Sequence, residues 1–207
     1  MLGIHDYWLF LGTGVLLNLT PGQDTLYILG SSIASGRRIG LASALGISAG
    51  CIVHTIAAAL GLSAILATST SAFIAIKLIG AAYLVYLGVR VFIARPDAML
   101  PLQDSTGVRS AFRRGVLTNV LNPKVALFFL ALLPQFIDSD SPTKVAAFVV
   151  LGMSFVATGT VWCLFLAVGA ARIRGFFVEH PRALTRLSRA SGVLFVFLGL
   201  RLAVAEQ

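Results

Sequence analysis

Three ionisable side chains, Asp24, Lys124 and His54, stand deep inside long apolar runs of this sequence. If those runs lie in lipid, burying either charge costs ~2.5–3.5 kcal/mol on insertion scales, and a lone intramembrane ionisable group becomes a candidate for function. A carboxylate can hold an ammonium or carry a proton, a lysine ammonium can hold a carboxylate, and an imidazole can relay protons. Two blander readings compete. Asp24 and Lys124 could neutralise each other across a helix interface, and His54 could be hydrogen-bonded for packing alone.

Both charges sit beside prolines: Asp24 follows Pro21-Gly22, and Lys124 follows Asn122-Pro123. A proline removes an amide donor, clashes with the carbonyl four residues back and pushes its predecessor out of helical geometry. The spacing therefore predicts a broken first and a broken fourth helix, with Pro21 and Pro123 as hinges. In lipid such breaks survive only where they are buried in protein or line a wet cavity. Each break also starts a half-helix whose free amides and positive dipole end attract a carboxylate. Asn18, Gly22, Asn119 and Asn122 flank the breaks and join Asp24, Lys124 and His54 as expected substrate-binding or coupling residues. A packing kink explains one proline equally well; two at matching places favour a binding site.

Ala42, Gly46, Gly50, His54 and Ala58 recur every four residues and so share one helix face. Small residues there let a neighbouring helix approach closely, which turns His54 into the bundle and away from lipid. No HExxH occurs, and a single deep carboxylate excludes hydrolysis by paired acids. An enzyme and a metal site are not expected.

The elements that must position these groups follow from composition. Of 207 residues 57% are apolar and 12% charged, against ~25% charged in a soluble domain, which excludes a soluble globular protein. Six apolar runs, about 7–33, 40–67, 71–94, 112–137, 144–170 and 187–204, are long enough for helical spans. The first lacks a basic leader and a cleavage site and is expected to be retained. Cys51 and Cys163 fall inside apolar runs and read as small buried hydrophobes, not a disulfide or redox pair. The net charge of +8 could suggest nucleic acid, but twelve of the sixteen basic residues lie at the first, third and fifth connections, scattered and with little aromatic interleaving. They read instead as an orientation signal that puts those loops in the cytoplasm and both termini outside.

The chain also repeats itself. Pro21 and Pro123 align at an offset of 102, Gly46 and Gly152 at 106, and the Leu-Gly-x-Arg segments at Gly88 and Gly199 at 111. His54 corresponds to Thr160, so a proton role for the histidine would belong to one half. Each repeat, about 1–95 and about 110–207, holds three spans. An odd number inverts the second copy, the plan of secondary transporters with a site near the midplane. The expected fold is thus an all-α integral membrane protein, a single domain over 1–207, with six transmembrane helices as two inverted three-helix repeats.

The run Asn18-Leu-Thr-Pro-Gly-Gln-Asp24-Thr-Leu-Tyr resembles the N-P-G-P-D signature in the first span of the LysE/RhtB amino-acid exporters. The second-span glycines with His54, the Asn122-Pro123-Lys124 segment leading to Pro134-Gln135-Phe136, and the Leu-Gly-x-Arg at Arg90 follow the same pattern. Thr20 and Gln23 depart from it, replacing the usual asparagine and second proline. The resemblance covers essentially the whole chain. It implies efflux of threonine-, homoserine-, leucine- or lysine-like amino acids across a bacterial inner membrane, by proton antiport and alternating access, with no cofactor and with a homo-oligomer as one assembly. A metal-ion or thiol-electron carrier on a related six-helix plan, for which Cys51, His54 and Asp24 are the candidate ligands, and a passive small-solute channel stand as competing readings.

Overall fold

The computed structural model describes residues 2–68, 70–93, 107–138 and 140–179, with scattered helical positions between 186 and 204. Among the described residues the architecture is all-helical, with one isolated β-bridge. Helix α1 (Tyr7–Leu19) stops before Pro21, and α2 (Gln23–Ser35) starts after Gly22. Gly36, at φ +82°, takes a left-handed turn that a side chain would strain, and α3 (Arg37–Ala57) begins at once. A π turn (Ala58–Leu62) carries α3 into α4 (Ser63–Thr68), and α5 covers Thr70–Ile93. The second half starts with α6 (Val108–Val120), followed by α7 (Pro123–Leu127), a π turn (Phe128–Leu132) and a 3-10 turn (Leu133–Phe136). The 36-residue α8 (Lys144–Glu179) closes the fully described part.

Two stretches, Arg37–Ile65 and Lys144–Ala170, are long and apolar enough to cross a bilayer, and Val108–Val120 with Pro123–Phe136, bent by 47°, makes a third if counted as one span. These match the second, fifth and fourth expected spans. Helix α1, at 13 residues, reaches only ~20 Å, short of the ~30 Å hydrocarbon layer. The expected 187–204 span lies largely outside the described residues. Large apolar side chains cover the outer faces, Leu45, Val53 and Ile56 on α3 and Val161, Phe165 and Val168 on α8 among them, as a lipid-facing surface requires.

The small-residue face of α3 meets α6. A Cβ on Gly46 would lie 2.2 Å from the Phe112 carbonyl oxygen, and one on Gly115 2.6 Å from that of Ser43. Gly46 faces Gly115 while Gly50, one turn on, faces Asn119, so the two helices run parallel. Backbone contact this close is what glycine supplies at membrane helix interfaces. Helix α8 packs on α3 through a hydrogen bond from Thr160 Oγ1 to Ser48 Oγ (2.8 Å) and on α1 through one from Asn18 Nδ2 to Thr158 Oγ1 (3.2 Å). Gly88 of α5 abuts Gly192 and Val196, and Gly199 abuts Ala81 and Val85. Those contacts are reciprocal, as between antiparallel partners.

At one end of the molecule Phe10, Phe128, Phe129, Phe136 and Phe155 form a buried aromatic cluster, with Phe128 and Phe155 stacked at 4.3 Å. The amino-terminal segment is strapped over this end. Ile4 bridges Ile137, His5 N donates to Phe136 O (3.1 Å), Asp138 N to Gly3 O (2.8 Å) and Ser141 Oγ to Leu2 O (3.2 Å). A separate apolar cluster of Ile28, Leu29, Ala44, Ile47 and Leu166 joins α2, α3 and α8 toward the other end.

Candidate transport site at the helix breaks

In a continuous helix the residue four places on donates its N–H to each carbonyl, and proline cannot. Pro21 thus denies Leu17 O its helical donor, leaving it Thr20 N at 3.2 Å, and Pro123 does the same to Asn119 O. Lys124 Nζ donates to Leu17 O and to Thr20 O, both at 3.0 Å. His54 Nε2 lies 3.1 Å from Asn119 O, and because a carbonyl only accepts, the imidazole is the donor there. Each break is therefore supplied by a basic side chain from the other half of the chain. Asn119 O also accepts from Asn122 N (2.9 Å), and the His54 ring stacks on Phe129 at 5.7 Å.

Asn122 caps α7, its Oδ1 accepting from Lys124 N at 3.0 Å with Pro123 in the first turn. Gly22 caps α2 without a side chain and faces Lys124, whose Nζ would lie 3.4 Å from a Cβ placed there. Asp24 occupies the first turn of α2, where a carboxylate suits the helix dipole. Its Oδ2 accepts from Asn119 Nδ2 at 2.9 Å. No ion pair joins Asp24 to Lys124. Asn119 thus links the expected residues: its backbone holds His54 and its side chain holds Asp24. Asn18 lies apart from that link, bonded to Thr158 on α8.

A small, partly enclosed cavity lies between the breaks. Its free volume, 30 Å³, suffices for a water or two, and its wall includes Asn18, Asp24, Asn119 and Lys124 together with Trp162 of α8. Cys51 and Cys163 are free and buried, as expected, and both line this cavity. Trp162, which no sequence feature set apart, lines it too, as does Thr160, the repeat counterpart of His54, whereas His54 itself does not.

Several polar atoms in the wall are buried and, among the described residues, lack a partner: the acceptors Asp24 Oδ1 and Asn119 Oδ1 and the donor Trp162 Nε1. Lys124 has spent two of its three ammonium hydrogens on carbonyls, which leaves one donor more. Buried polar atoms are seldom left unpaired without a reason, and here acceptors and donors stand around one void. Cys51, His54 and Asp24 do not gather: among the described residues no three His, Cys, Asp or Glu side chains stand close enough to hold a metal ion.

Apolar outer helix faces packed around a small cavity with unpaired polar atoms at helix breaks suit a membrane transport protein. The chain belongs to the LysE type translocator family, whose model matches residues 15–206. It is 33% identical over 204 residues to a homoserine/homoserine lactone efflux protein of Salmonella typhimurium, covering 98% of each chain. It is 33% identical over 206 residues to an uncharacterized membrane protein of Vibrio cholerae, again covering 98% of each. A further uncharacterized membrane protein, from Pseudomonas aeruginosa, is 31% identical over 210 residues, covering 99% of this chain and 97% of that one. No solved structure matches the chain.

Proposed function

We propose that the protein is a secondary active exporter of amino acids or close derivatives across the bacterial inner membrane, with both termini outside. The observation that carries this reading is the small void between the breaks, with unpaired acceptors on Asp24 and Asn119, an unpaired donor on Trp162, and the third ammonium hydrogen of Lys124 beside them. An ammonium and a carboxylate on one small solute complement those two sets. The homoserine efflux relatives agree with such a cargo.

The void holds water but not an amino acid, so binding there requires the helices on either side of the breaks to part. Alternating access around Pro21 and Pro123 provides that motion. The reciprocal seating of Gly88 and Gly199 supports an inverted repeat of three spans each, because a two-fold relation maps one contact onto the other. Antiport follows if Asp24 carries a proton inward after releasing an ammonium outward. His54, held on Asn119 O, then acts on that proton path through Asn119 and not by touching Asp24.

Everted vesicles of cells producing the protein provide the test. Wild type should take up labelled homoserine or threonine when the interior is acidic, and Asp24→Asn should insert normally yet lose the dependence on the proton gradient. Undiminished gradient-driven transport by Asp24→Asn overturns the coupling role.

A further inference from the structure

A second cavity, of 510 Å³, lies between α2 and α6, within the ~300–1,000 Å³ usual for small-molecule sites. Gln23, Tyr27 and Ser31 line it from α2, and Arg114 and Thr118 from α6, with leucines between them. Each set recurs at four-residue intervals and so shares one face of its helix. Tyr27 Oη donates to Ala111 O at 2.8 Å and ties the two walls together. Ser31 is 1% exposed, and its hydroxyl has no partner among the described residues. A buried hydroxyl left unpaired in a cavity wall is a vacancy for a polar ligand.

The position of this groove relates it to the deep void. Gln23 lines the groove and its neighbour Asp24 the void; Thr118 lines the groove and its neighbour Asn119 the void. The two chambers are separated by one layer of helix. Arg114 lies about one turn before Thr118, ~6 Å along α6, toward the end that the arginine distribution assigns to the cytoplasm. Polar groups recur among the leucines along the whole wall from Arg114 to Gln23, and the buried, unpaired Ser31 hydroxyl among them suits a polar solute.

We propose that the groove is a loading site on the cytoplasmic side that takes small solutes bearing a carboxylate, ahead of the Asp24 void. This rests on the exporter reading. The Arg114 guanidinium pairs with the carboxylate in a charge-assisted contact. Ser31 bonds the polar remainder of the solute, and Gln23, adjacent to Asp24, is the last contact before transfer inward.

Homoserine and homoserine lactone differ at the group in question, since the lactone has no carboxylate. In everted vesicles of phosphatidylcholine with phosphatidylglycerol, Arg114→Gln should raise the half-saturating homoserine concentration about tenfold, leave the maximal rate within about twofold, and leave the lactone unaffected. Arg114→Lys should recover part of the loss, and Ser31→Ala should shift both solutes by a smaller factor. Purified Asp24→Asn should still bind labelled homoserine, and adding Arg114→Gln should remove that binding. An equal effect of Arg114→Gln on both solutes, or binding that disappears with Asp24→Asn alone, overturns the proposal. An Arg114 effect that vanishes in phosphatidylcholine alone makes the groove a lipid-headgroup site and overturns it too. If wild type moves neither solute nor threonine, leucine or lysine, the exporter reading itself falls. Transport by wild type that Arg114→Gln leaves unchanged removes only the loading site.

Discussion

At the first break a lysine from the second half supplies Leu17 O and Thr20 O; at the second a histidine from the first half supplies Asn119 O. The exchange is reciprocal, but its terms are unequal. Lys124 serves two carbonyls and faces a glycine that caps nothing with its side chain, so the first break depends on a residue over a hundred positions away. Each proline-deprived carbonyl keeps one local donor, Thr20 N for Leu17 O at 3.2 Å and Asn122 N for Asn119 O at 2.9 Å, but only the second break has its own side-chain cap, Asn122. The first joint therefore leans more on the docking of the two halves, through Lys124 on Thr20 O. The second would keep much of its geometry alone.

That inequality can be broken by substitution, with melting of the purified protein in detergent as the measure. Lys124→Met takes from Thr20 O its side-chain donor and leaves Leu17 O on Thr20 N alone, and should cost ~1–3 kcal/mol. A loss under ~1 kcal/mol would mean that the carbonyls find water and that the first break is no more dependent than the second. His54→Leu should cost less, ~0.5–1.5 kcal/mol, because Asn122 N still bonds Asn119 O. His54→Gln, which keeps an N–H donor, should recover most of that, and a His54→Leu loss matching Lys124→Met would abolish the distinction. The smallest change gives the first break what the second already has. Gly22→Ser supplies a capping hydroxyl at an extended position with ordinary contact to Lys124, and should raise stability by a few tenths of a kcal/mol. A drop in melting temperature would show that Lys124 needs the space.

Much of this was legible in the chain. Proline acts through its own missing hydrogen, so Pro21 and Pro123 locate the breaks without tertiary information. The stripe through Gly46 and Gly50 identified a close helix contact because the period of the helix is fixed; its partner, α6, was not legible. The destination of Lys124 was not legible either, since a lysine arm is long enough to end on a carboxylate or on a carbonyl. Lys124 ends on carbonyls and not in a contact ion pair with Asp24, and Asn119, an expected site residue whose partners were not legible, holds both Asp24 and His54. Arg114 was legible as a topology signal, which hid it as a wall residue of the groove. Of the six expected spans, helix length alone recovers two or three among the described residues, and the break at Pro21 divides the first into α1 and α2, each of 13 residues.

Cys51 and Cys163 give the deep void a further use. Both thiols are free and buried, and the space beside them holds a water or two, less than a methanethiosulfonate or maleimide needs. Their labelling is therefore a native clock for opening: its rate reads the fraction of time the helices stand apart, without any engineered probe. A cargo that occupies the void should slow the clock, and a variant locked open should run it to completion.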